Sequence, residues 1–227
     1  MKYFLILILG LAISSAISSC TRGYYNTTQD YYDYEESFQL IHDLKDGILI
    51  VQIPYEKRKF DILKRIYEKE PNPEKKASLK EEYDALILDL KQTQKSLILG
   101  TIDYYKFSDF AFVPDTLINE FKKGERKNIF LDNDLSLGKE VNIDTSKTIL
   151  FLRDLRDYDN LFIHKFDGTY PPAPFPYTSQ VPTGEMDRID IDSPHVLGIK
   201  NGILRALYTV NKRLTGFYTN SKFPNKT

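Results

Sequence analysis

The sequence predicts an α/β fold, a three-layer sandwich around a mixed sheet of about five strands, on three observations. The segments ILIVQI (Ile48–Ile53) and TILFL (Thr148–Leu152) are continuously apolar, as strands covered on both faces are. Two helical stripes separate the first of them from the next strand, so the connection is a crossover, a right-handed unit in nearly all cases. The chain then closes on an amphipathic helix over Asn201–Tyr218. An α+β arrangement with every helix on one face of the sheet is the alternative.

The first element is an address. Lys2 supplies a short positive region, Phe4–Ile13 (FLILILGLAI) is an apolar run of ten, and the small, polar Ser14–Ser19 follows. A hydrocarbon core needs roughly 20 apolar residues, so residues 1–19 read as a secretory signal peptide. The chain has one Cys, and it stands directly behind, in Ile17-Ser18-Ser19-Cys20. This tetrapeptide resembles the lipobox of bacterial lipoproteins, with an aliphatic residue three before the Cys and small residues between. The family most often has Leu where this chain has Ile17, and Ala or Gly where it has Ser19. The resemblance implies cleavage before Cys20 and covalent lipid (palmitate among the acyl chains) on that residue. It also implies a cell-envelope location on the outer membrane, since neutral Thr21 follows the Cys. Two or three acyl chains, at ~0.8 kcal/mol per buried CH₂, would hold a protein on a membrane.

Residues 20–46 read as the lipidated N-terminus and a flexible tether. Tyr24, Tyr25, Tyr31, Tyr32 and Tyr34 crowd it, as compositional drift or for stacking on a glycan or partner protein. A coil of about 24 residues spans roughly 25–30 Å, enough to clear lipid headgroups.

Residues 47–227 suit a single globular domain. Gly47–Ile53, closed by Pro54, reads as a central strand. Phe60, Leu63 and Tyr67 form a helical stripe within Tyr55–Lys69, and Pro71-Asn72-Pro73 breaks it. A longer helix starts near Glu74 and aligns Leu79, Tyr83, Leu86, Leu90, Leu97 and Tyr105. Phe110–Val113 reads as a strand and Thr116–Lys123 as a short helix stopped by Gly124. Asn128–Leu131, Thr148–Leu152 and Leu161–Phe166 complete the strands, the last two as a hairpin. Tyr170–Thr183 holds five of the eleven prolines and is expected to be irregular.

Composition excludes some function classes. The 31 Lys+Arg balance 32 Asp+Glu, which leaves no cationic excess for nucleic acid. No G-x-S-x-G elbow, phosphate loop, dinucleotide fingerprint or H-E-x-x-H occurs, and the only thiol lies in the signal region. His164 shares a strand face with Phe162 and Phe166 and reads as a core histidine; His42 has no partner by sequence. Asp190, Asp192 and His195 are the candidate metal ligands, as two oxygens and an imidazole suit a divalent ion. The alternation around Ile189 and Ile191 equally fits an edge strand. Asp132-Asn133-Asp134 opens like a calcium loop, but Leu137 and Ile143 stand where that loop needs Gly and Glu. Asp132 and Asp134 follow one strand and Asp154 and Asp157 another; parallel strands would bring them together at a ligand-binding edge. Such aspartates also serve as turn and cap residues.

The Pro-rich loop offers Tyr170, Phe175 and Tyr177 as anchors of an exposed recognition surface, or is a rigid connector. The anchor, the aromatic surfaces and the missing nucleophiles favour a non-catalytic binding or accessory protein. Its partners are expected to be the membrane, through the lipid, and an envelope protein or glycan, with no cofactor beyond that lipid. An envelope hydrolase or metal-dependent enzyme using aspartates at the strand ends is the alternative.

Overall fold

A computed structural model describes residues 33–155, 160–180 and 201–221. The elements run α1 (Tyr34–Lys45), β1 (Ile48–Ile53), α2 (Lys57–Lys69), α3 (Pro73–Tyr104), β2 (Asp109–Pro114), a 3-10 turn (Asp115–Leu117), α4 (Ile118–Lys122), β3 (Ile149–Leu155), β4 (Asn160–His164), β5 (Thr178–Gln180) and α5 (Asn201–Asn220). The five strands form one mixed sheet in the order β2-β1-β3-β4-β5. β1 runs parallel to β2 and β3, whereas β3–β4 and β4–β5 are antiparallel. The fold is α/β, as the unbroken apolar runs predict.

Strand alternation divides the core in two. Leu49, Val51 and Ile53 of β1 join Leu150, Leu152, Leu161 and Ile163 against α1, α3 and α5. Ile48, Ile50, Ala111, Val113 and Phe151 project to the opposite face, where α4 and Ile129–Phe130 cover them. The long helices thus share one face, and the third layer is thin: a short helix and the chain that leads from it to β3. At Gly100 the backbones of α3 and α5 pack closely, and an added Cβ would lie 2.6 Å from Leu207 Cδ1.

Three expectations are corrected. The tether does not extend to residue 46, because α1 begins at Tyr34. Asp33 caps it by accepting from the Glu36 amide at 2.8 Å, and Ile41 and Leu44 are fully buried. Asn128–Leu131 is not a strand: Leu131 makes single antiparallel bridges to Phe112 and Leu137. The Pro-rich segment contains a strand, β5, at Thr178–Gln180.

Candidate functional site

The chain leaves β1 toward α2 and α3 on one face of the sheet and leaves the adjacent β2 toward α4 on the other. Open α/β sheets bind ligands outside the carboxyl ends of strands at such a divergence. Here it carries an open cleft of about 650 Å³ lined by Glu56–Lys59, Ile62, Leu63, Asp115 and Thr116. Glu56 sits at φ 45°, ψ 31°, a left-handed conformation that is costly for a residue with a Cβ. Its amide donates to Asp115 Oδ2 at 3.4 Å, and its carboxylate lies 3.1 Å from Lys59 Nζ. Burial, then the Asp115 charge, pushes the Tyr55 phenol above its ordinary range. Both carboxylates are therefore engaged locally, and Lys57, Arg58 and Thr116 are among the exposed polar groups of the rim. Three cations in the first turn oppose the helix dipole, a signal legible in Lys57-Arg58-Lys59.

A second surface lies where β3, β4 and the Pro-rich loop meet. Arg153 of β3 stands opposite Phe162 of β4. The Tyr170 ring is 5.6 Å from Phe162 and stacks on Tyr177 at 5.3 Å. Tyr170 is 37% exposed, Phe162 and Tyr177 are half-buried, and Arg153 Nε is buried without a hydrogen-bond partner among the described residues. Beside them, Lys122 lies over the rings of Phe151 and Phe166, at 5.2 and 5.6 Å. The surface is aromatic and cationic, suited to stacking and to charge-assisted hydrogen bonds.

His164 forms its floor. The ring is buried, stacks on Phe151 at 5.2 Å, and has Nδ1 3.0 Å from Lys165 O and Nε2 2.9 Å from Gln52 Nε2. Nδ1–H donates to that carbonyl, so Nε2 accepts from the Gln52 amide. Desolvation lowers the His164 pKa, and the Arg153 and Lys122 charges add to the effect. A depressed folded-state value makes the unfolded chain the stronger proton binder. Stability is therefore expected to fall as pH drops below about 6.5, the ordinary imidazole value. His164→Gln should flatten the melting temperature between pH 7 and 5; an unchanged slope would show that the imidazole does not carry it.

The sequence-predicted site residues are not brought together. Asp132 follows the bridge on the free edge of β2, two strands away from β3, which carries Asp154. Leu131 runs antiparallel to β2, so Asp132 heads away from the carboxyl ends of the parallel strands. The Asp132 carboxylate closes its own turn, accepting from the Asp134 and Ser136 amides at 2.9 and 2.8 Å. Of the three loop anchors, Tyr170 and Tyr177 reach the aromatic surface, whereas Phe175 is 2% exposed in the core against Phe217. Cys20, Asp157, Asp190, Asp192 and His195 lie outside the described residues. Sequence reasoning missed Arg153 and Phe162, whose role depends on the β3–β4 register, and Glu56 and Asp115, which meet only through the crossover.

No group of three or more His, Cys, Asp or Glu side chains placed to hold a metal occurs among the described residues. No described helix is long and apolar enough to cross a membrane. No protein-family model, curated protein or solved structure matches the chain.

Proposed function

We propose that the chain is a bacterial envelope lipoprotein, held by lipid on Cys20, whose domain serves as a binding or accessory protein. The partner, an envelope protein or glycan, is taken on the surface of Phe162, Tyr170 and Tyr177. The observation that carries this reading is the half-exposed aromatic cluster beside the Arg153 guanidinium, the composition that supplies hot spots at recognition surfaces.

Intact-mass spectrometry of membrane-extracted protein should show acyl additions on Cys20; an unmodified thiol would remove the anchor from this account. For the surface, crosslinked capture from intact envelopes should yield a stoichiometric partner with the parent chain. Tyr170→Ala, a change on an exposed side chain, should reduce that yield at least tenfold, the loss expected of a hot spot. Equal capture by Tyr170→Ala and the parent would place recognition elsewhere.

A further inference from the structure

We propose that the outward face of α2 docks on an anionic lipid bilayer. Helix α2 carries six cations, Lys57, Arg58, Lys59, Lys64, Arg65 and Lys69, against two carboxylates, Asp61 and Glu68, in a chain of net charge −1. At 100° per residue, Phe60, Leu63 and Tyr67 share one side of the helix, where the Phe60 and Tyr67 rings lie 5.9 and 5.2 Å from Tyr83 of α3. Arg58, Ile62, Arg65, Ile66 and Lys69 fall in an arc of roughly 100° on the far side. Ile62 is 47% and Ile66 50% exposed there. Lys59 and Lys64 are paired with Glu56 and Glu68, whereas Arg58, Arg65 and Lys69 make no ion pair among the described residues.

The far side of α2 is solvent-exposed, although Arg58 and Ile62 also line the cleft they share with Asp115 and Thr116. Burial on α3 begins at Leu90, so its first half packs on α2 and not on the sheet. Spacing and composition together select the occupant. From Arg58 to Lys69 the cations spread over about 16 Å of helix, a row too long for one small anion. Two exposed isoleucines alongside a row of cations are the pattern of an interfacial helix, with cations at the phosphates and apolar groups at the acyl boundary. Headgroups of a bilayer meet both requirements at once.

The test uses the full chain with Cys20→Ala, so that no covalent lipid contributes and the outcome is independent of the anchor. Flotation is measured with vesicles of phosphatidylglycerol and phosphatidylethanolamine and with vesicles of phosphatidylcholine alone. Partitioning should favour the anionic vesicles and weaken with salt. Arg58→Gln/Arg65→Gln should reduce it roughly thirtyfold, on the expectation for two interfacial cations. Ile62→Ser/Ile66→Ser, also on exposed positions, should reduce it without altering the salt dependence. Circular dichroism confirms that each variant keeps its helix content. Equal partitioning to both vesicle types, or undiminished partitioning by both variants, would overturn the proposal. So would saturable binding of inorganic phosphate by a chain that leaves the anionic vesicles unbound.

Discussion

Phe151→Ala is expected to destabilise the fold by about 4 kcal/mol, the usual range for a fully buried Phe. Phe151 is 0% exposed at the centre of the sheet, edge-on to Phe121 at 5.7 Å and stacked on His164 at 5.2 Å. The thin layer above it cannot close the void, because α4 is a five-residue helix whose buried side chains are Ile118 and Phe121. Water entering that void would rehydrate His164, so the variant should also lose part of the acid sensitivity assigned to the imidazole. Urea denaturation at pH 7 and pH 5.5 reads both effects. A loss under 1 kcal/mol would mean that the layer collapses onto the sheet and that this face is not a packed core.

Gly47→Ala acts at the corner between α1 and β1 and is expected to cost about 3 kcal/mol, toward the upper end for overpacking. A Cβ there would lie 2.3 Å from the Thr148 carbonyl oxygen and 2.9 Å from that of Asp43. Both obstacles are backbone. The Thr148 carbonyl also accepts from the Ile48 amide at 3.0 Å, and the Gly47 amide donates to Leu44 O at 3.0 Å. Relief therefore moves β1 away from β3 or lifts α1 from the sheet. Thermal unfolding gives the reading, and a variant as stable as the parent would show that α1 is not docked through this corner.

The fold was legible in the sequence where one physical signal dominates. Unbroken apolar runs specify β1 and β3, and the 3.6-residue stripes of α3 and α5 locate those helices to within a few residues. Helix α1 was not legible, because Tyr34, Glu35 and Glu36 look like the solvated residues before them. Its apolar face is short and depends on docking, with Ser37 Oγ donating to Pro172 O at 2.8 Å. β5 was hidden for a related reason: its three residues are held by pairing with β4, not by their own propensity. Asn128–Leu131 carries strand-like residues but meets the edge of β2 at one position only.

The candidate site was legible in part. Tyr170 and Tyr177 stood out as aromatics in a loop. Phe175 has the same sequence signature, and only packing against Phe217 distinguishes it. Asp132 shows the limit of reading carboxylates by position, because two backbone amides 2.9 and 2.8 Å away use it as a turn residue. Arg153 and Phe162 become neighbours through antiparallel register, which no local pattern announces.

The central claim is that this domain recognises its partner through the aromatic surface at Tyr170. A photoreactive phenylalanine analogue placed at position 170 of the anchored chain tests it in intact envelopes. Position 208 on α5, where Tyr208 is 51% exposed, serves as the control. The account predicts one discrete adduct, protein or glycan, from position 170 and none from 208, lost when Arg153→Ala is added. Adducts of equal yield from both positions, or none from 170, would contradict it.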